Sequence, residues 1–400
     1  MRKKLTALFK EFSESERTGG YLLIICTVVS LVIANSFLAE SYLALFKTKI
    51  GFSLGSVSMN YPVYHWINDL LMAVFFLMVG LEIERELYIG ELADFRNALL
   101  PILAALGGMI VPALIHFSFN SGTETQSGFA IPMATDIAFA LGMLSLLGNR
   151  VPVAIKVFLT ALAIIDDLGA IIIIAIFYAK GFSLMFFSLA IGIFILLIIF
   201  NRIGINNLLL YLIPGVFMWY FMHESGVHAT ITGVLLAFAI PFRDGSKRSV
   251  SYKLQHFLHK PVALLIIPLF ALANTGIKIS PELLSGLSSN NAVGIIMGLF
   301  IGKPVGIFLF TLLAVKLGWS SLPDEVGWKH VLGAGMIAGI GFTMSIFIAL
   351  LAFNEPLIID TSKVAILCGS LLSCIAGLVM LSVAGKSKSS LVKISSSLLS

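Results

Sequence analysis

Long apolar runs separated by short polar links make up nearly the whole chain. They lie near residues 19–39, 65–82, 98–118, 127–148, 153–178, 182–200, 206–222, 227–242, 261–276, 291–315, 330–353 and 364–384. A helix rises about 1.5 Å per residue, and a bilayer core of about 30 Å takes about 20 apolar residues, so the pattern predicts about twelve membrane-spanning helices. The seventh and eighth runs are short and are parted only by His223, Glu224, Ser225 and Gly226. The expected fold is an all-α polytopic membrane protein, with residues 1–400 forming one transmembrane transporter domain. Residues 1–17 form an N-terminal segment of that domain and 385–400 a tail. The first run is longer than a signal-peptide core and no small-residue cleavage site follows it, so it is expected to be retained as a span.

Basic residues in short loops are held on the cytoplasmic side, and their distribution therefore orients the spans. With both termini on one side, that side carries nineteen Lys and Arg, and the opposite side carries only Lys47, Lys49, Lys180, Lys278 and Lys363. Both termini are expected in the cytoplasm. The acidic stretch Glu82, Glu84, Glu86, Glu91 and Asp94 then falls on the cytoplasmic side, where the plainest expectation is a solvated helix end.

Composition narrows the class. Hydrophobic residues make up 58% of the chain and charged residues 12%, with a mean hydropathy of +1.01, which leaves no room for a soluble domain. The net charge of +5 comes from loop Lys and Arg that set topology, and it does not indicate nucleic acid. Cys26, Cys368 and Cys374 lie in apolar runs without metal-ligand spacing and are read as small core residues. His223, His228, His256, His259 and His330 are scattered near span ends and are read as interface residues rather than a metal set.

Charge inside the spans carries the chemistry. Asp166 and Asp167 stand in Ala161-Leu-Ala-Ile-Ile-Asp-Asp-Leu-Gly169, near the middle of the fifth span. An ionised Asp at that depth costs on the order of 3 kcal/mol on insertion scales, so acids there face a cavity or a partner. Adjacent helical residues point about 100° apart. One acid can therefore hold a structural partner while the other faces a site. Lys303, in Gly302-Lys303-Pro304 of the tenth span, is a lone intramembrane cation, and Asp166 or Asp167 is its expected counter-ion.

Two spans carry helix breakers. The fourth contains Pro132, Thr135 and Asp136, and the eleventh contains Gly335, Gly339, Gly341 and Thr343. Proline removes a backbone hydrogen bond, and in lipid the freed carbonyls must line a cavity or find partners. The two interrupted spans occupy the middle of two triples, spans 3–5 and 10–12, and this correspondence points to a binding site made by paired broken helices. Carboxylates, hydroxyls and carbonyls suit a hard cation such as Na+, and protons compete for the same carboxylates.

These motifs, together with Ser225-Gly-Val-His228-Ala-Thr230, resemble over nearly the whole chain the NhaA family of bacterial sodium/proton antiporters, a known instance of the broken-helix arrangement. The resemblance implies inverted repeats in which the two interrupted helices, spans 4 and 11, cross. It further implies a homodimer in the bacterial inner membrane that exports cytoplasmic Na+ or Li+ against external H+. Asp167 matches the principal cation ligand, and Asp166 the acid beside Lys303. Thr135 and Asp136 match the helix crossing. Asp69, Glu82, His228 and His256 also fall on family positions and are candidates for a pH-response region. Gln255 stands where well-known members have a glutamate linked to pH response, and Glu84 where they often have a lysine. The family's pH profile therefore does not carry over. The expected metal is transported Na+ at Asp166 and Asp167. No cofactor and no catalytic residue are expected.

Two other classes stay open at this point. A sodium-coupled symporter of an organic anion would need a roomier polar cavity, and solute-free sodium/proton exchange would separate it. An intramembrane aspartyl protease needs a Gly-x-Gly-Asp context, which Ile165-Asp166 before Asp167 does not supply, and a cleavage assay would separate it.

Overall fold

The computed structural model describes residues 2–54, 57–323 and 325–397. Met1 and residues 398–400, at the ends of the expected N-terminal segment and tail, lie outside it, as do the side chains of Arg2 to Arg17 and of Lys386, Lys388 and Lys393.

Eight helices among the described residues are long and apolar enough to cross a bilayer: Val63–Tyr88, Asn97–Asn120, Gln126–Ser145, Val153–Phe177, Leu184–Ile203, Val250–Asn274, Asn290–Lys316 and Pro356–Gly385. Two bent pairs raise the number to ten, Thr18–Ala34 with Ala39–Lys47 at 114° and Trp328–Ala338 with Phe342–Ala352 at 46°. The two remaining expected spans are the helices Leu209–Glu224, of 16 residues, and Ile231–Ala239, of 9 residues. Nine residues rise only about 14 Å. The apolar run 227–242 is therefore helical for little more than half its length, and Val227 to Thr230 enter it as turn and irregular backbone.

An antiparallel hairpin, Lys49–Leu54 paired with Val57–Pro62 in the register Lys49 opposite Pro62 and Leu54 opposite Val57, adds a small sheet to an otherwise helical chain. Trp66 ties it to the following helix by donating its indole N–H to the Ile50 carbonyl at 2.8 Å.

Three spans widen locally into π-helical turns, at Ile67–Leu71, Val262–Ile266 and Gly298–Gly302. The last two have a local cause. Pro268 and Pro304 lack the amide that would bond to residues 264 and 300, and their rings crowd those carbonyls. A wider turn at that point takes up the misfit.

The chain forms two compact units. One comprises residues 1–21, 94–170 and 281–400, and the other 22–93 and 171–280. In the first, the helices Phe95–Asn120 and Lys303–Lys316 approach backbone to backbone. A Cβ on Gly107 would lie 2.3 Å from the Gly306 carbonyl oxygen, and one on Gly306 would lie 2.1 Å from that of Gly107. In the second, Ile231–Ala239 lies against Val63–Tyr88 in the same way, with Gly233 facing the Ala73 carbonyl. Leu184–Ile203, also in the second unit, is apolar on nearly all sides and only 11% buried, as suits a helix solvated by lipid tails.

Candidate cation site at two interrupted helices

The site belongs to the first unit and begins with the two broken spans. Gln126–Met133 winds as a 3₁₀ helix containing Pro132, and the chain runs extended through Ala134 before Ile137–Ser145 starts. In the eleventh span Trp328–Ala338 stops at Gly339, and Phe342–Ala352 resumes after Gly341. The two breaks cross. The Asp136 amide donates to the Ile340 carbonyl at 2.7 Å, and Thr135 Oγ1 lies 2.9 Å from that of Ala338. Ser345 Oγ donates to the Ile131 carbonyl at 2.7 Å, and Ser370 Oγ accepts from the amides of Gly341 and Phe342 at 3.2 and 3.3 Å. Several backbone groups freed by the breaks are thus satisfied by the other break or by the twelfth span, as hydrocarbon surroundings demand.

Close approach needs glycine here. A Cβ on Gly339 would stand 2.4 Å from the Leu299 carbonyl oxygen.

Asp136 caps two helices. Its Oδ1 accepts from the Phe139 amide at 2.9 Å, and its Oδ2 accepts from the amide and hydroxyl of Thr343 at 3.1 and 2.6 Å. One carboxylate therefore meets the N-termini of both half-helices, Ile137–Ser145 and Phe342–Ala352, where helix dipoles favour negative charge.

The fifth span brings Asp166 to the same crossing. Asp166 and Lys303 are both fully buried, with Lys303 Nζ 2.6 Å from Asp166 Oδ2. Lys303 also donates to the Met133 carbonyl, which the break after Met133 leaves without a helical partner. Thr135 Oγ1 lies 2.8 Å from Asp166 Oδ2. Asp166 Oδ1, by contrast, is buried with no hydrogen-bond partner among the described residues. Asp167 is 2% exposed, and its charge acts on Lys303 together with that of Asp166. Asp166, Asp167, Thr135, Asp136 and Lys303 are therefore gathered at one crossing, and Lys303 pairs with Asp166. The Met133 carbonyl and Ser370 join them. Neither carries a sequence signal, since one is backbone and the other an ordinary serine in an apolar helix.

The other predicted residues lie in the second unit. Gln255 lies beside Glu82, and Ser251 Oγ donates to Glu84 Oε2 at 3.2 Å. Glu82, Glu84 and Gln255 are all buried. A solvated helix end is therefore incorrect for both acids, because Val63–Tyr88 turns them onto Val250–Pro261 rather than outward. His256 is exposed and stacks on Tyr252. His228 Nε2 lies 2.9 Å from the Tyr178 carbonyl. Asp69 Oδ2 lies 3.1 Å from His65 Nε2 and 3.5 Å from His223 Nδ1, so His223 is not one of a scattered set.

Interrupted helices crossing at buried charges, in a chain of many apolar helices, define a polytopic membrane transporter of the broken-helix kind. The chain belongs to the family described as Na+/H+ antiporter 1, which matches residues 10–381. It is similar to the Na(+)/H(+) antiporter NhaA of Flavobacterium psychrophilum, with 59% identity over 374 residues, 94% of this chain and 95% of the relative. The NhaA of Cytophaga hutchinsonii is 55% identical over 378 residues, 94% and 96% of the two chains. That of Dechloromonas aromatica is 56% identical over 371 residues, 92% and 93% of the two chains.

Proposed function

We propose that the chain works as one transporter domain that exports cytoplasmic Na+ or Li+ in exchange for external H+, and that both ions compete for Asp166 and Asp167. The observation that carries this is the buried Asp166 Oδ1, without a hydrogen-bond partner among the described residues beside the crossed breaks. An ionised oxygen of that kind is costly unless a cation or a proton satisfies it. The hydroxyl of Thr135 and the carbonyls of Met133 and Ala338 supply further hard oxygen donors nearby, which fits sodium.

Each residue then has a physical task. Asp167 holds the cation or a proton, and Asp166 shares that charge with Lys303. Lys303 keeps the emptied site from carrying uncompensated negative charge. Asp136 fixes the two half-helix N-termini, so that their positive ends do not repel an arriving cation. Exchange follows if the site faces the two sides alternately and releases one ion before the other binds. The chain acts in the bacterial inner membrane with both termini in the cytoplasm, as a homodimer. Glu82, Glu84, Gln255, His228, His256 and Asp69 modulate the response to pH.

Reconstitution into proteoliposomes tests this reading: sodium added to one side should drive proton movement from the other, with no organic solute present. Absence of sodium-dependent proton movement by folded protein would overturn it.

A further inference from the structure

His65, Asp69 and His223 lie in the second unit, and nothing in sodium/proton exchange requires two imidazoles around one carboxylate. We propose that these three side chains form a binding site for a divalent transition-metal ion, zinc by the chemistry of its ligands.

The donor atoms converge. One from each residue lies within 4.8 Å of the other two, and Asp69 Oδ2 stands 3.1 Å from His65 Nε2 and 3.5 Å from His223 Nδ1. A tetrahedral zinc ion with bonds of about 2.0–2.1 Å holds its ligand atoms about 3.3 Å apart. Those two separations already fit, and closing the third onto an ion needs a side-chain adjustment of an ångström or so.

His65 Nε2 adds an independent sign. It is shut off from solvent and makes no hydrogen bond among the described residues, although it faces Asp69 Oδ2. A nitrogen close to a carboxylate oxygen but out of line for a hydrogen bond is arranged as two ligands around a shared ion would be.

The scaffold holds the three in place. His65 and Asp69 are one helical turn apart, at the start of Val63–Tyr88. Tyr61, on the hairpin, lies against His65 with ring centres 4.5 Å apart, and Trp219 stacks on His223 at 6.0 Å and 16°. Aromatic walls of this kind restrict the ring rotamers and keep bulk water from the ligands. Glu224 adds a second negative charge near His223. Side-chain exposures of 28% for His65, 22% for Asp69 and 21% for His223 leave a way in for an ion and an open position for a water ligand. Nitrogen ligands disfavour sodium and magnesium and favour zinc and its neighbours. The site is therefore separate from the transported cation and does not depend on the transport reading.

The test uses the full chain without a polyhistidine tag, purified in detergent. Titration with Zn2+ should show one ion per chain and a melting temperature that rises with zinc and returns on adding EDTA. Co2+ should give the visible absorption of a tetrahedral nitrogen and oxygen site. His65→Ala should weaken zinc binding at least about tenfold and remove the cobalt bands, since even outer partners of a metal site are worth that much. His223→Gln, which keeps bulk against Trp219, should do the same. His256→Ala, at an exposed histidine elsewhere in the unit, should bind like wild type. Each variant should melt like wild type in EDTA, and at least His65→Ala, at a partly exposed helix start, tolerates the change. No zinc binding by wild type, binding that survives in both His65→Ala and His223→Gln, or an equal loss in His256→Ala would each overturn the site.

Discussion

Replacing Lys303 by Met removes the buried ammonium but keeps most of the side-chain stem. At the 2.6 Å separation of Lys303 Nζ and Asp166 Oδ2, two unit charges in an effective dielectric of about 20 attract by about 6 kcal/mol. Desolvation of two fully buried ions offsets much of that, so the pair itself contributes little net stability. Breaking it is different. Asp166 would keep only Thr135 as a partner at Oδ2, and an uncompensated buried charge costs about 3–5 kcal/mol. The Met133 carbonyl, which Lys303 also satisfies, would lose its donor at a further cost of about 1–3 kcal/mol. Lys303→Met should therefore lower the midpoint of unfolding, followed by tryptophan fluorescence in detergent. Asp166→Asn combined with Lys303→Met should recover part of the loss, because neither charge remains to be buried alone. The Met133 contribution is common to the single and double variants and cancels in the cycle. A coupling of at least about 2 kcal/mol is expected. Additive effects within about 0.5 kcal/mol would show that Lys303 and Asp166 do not support each other and would refute this assignment.

Thr343→Val should destabilise the protein by about 1.5–3 kcal/mol, because it deletes the 2.6 Å hydroxyl contact to Asp136 and hydrogen bonds to charged groups fall in that range; denaturant unfolding measures the loss. Sodium-driven exchange should slow as the crossing loosens, which a fluorescent proton indicator in vesicles reports. Gln255→Glu should set a second acid against buried Glu82. Two carboxylates in contact resist joint ionisation, so the variant should be least stable relative to wild type in alkali and approach it in acid, as thermal melts across pH would reveal. A deficit that does not change with pH would mean that the two side chains part.

Ten of the twelve expected spans were legible because membrane helices must be apolar along about 20 residues; the two that form helices of 16 and 9 residues fall short of that length. Asp166, Asp167 and Lys303 stood out for the same reason, as charge where charge is expensive. The breaks in spans 4 and 11 were legible from Pro132 and the glycines at 339 and 341, whereas their crossing was implied only by the family resemblance. Glu82 and Glu84 were misread because Arg85, Glu86 and Glu91 surround them in sequence, and local charge says nothing of which face a later helix covers. Two of the three π-helical turns, at Val262–Ile266 and Gly298–Gly302, follow from prolines whose effect appears four residues upstream. The meeting of His65 and Asp69 with His223 depends on how Leu209–Glu224 packs in the second unit. Spacing within one segment shows only the His65 and Asp69 half of it.

Competition between sodium and protons for the Asp pair is tested most directly by sodium-dependent proton exchange in proteoliposomes across a pH series, with wild type and Asp167→Asn measured side by side. Wild type should show an apparent sodium affinity that rises up to about tenfold per pH unit in acid and levels off in alkali, since each proton lost frees a carboxylate for a cation. Asp167→Asn, inserted and folded, should exchange nothing, because an amide neither releases a proton nor neutralises a cation. Full exchange by that variant, or a wild-type pH profile equally steep at every sodium concentration, would contradict ion competition at these carboxylates.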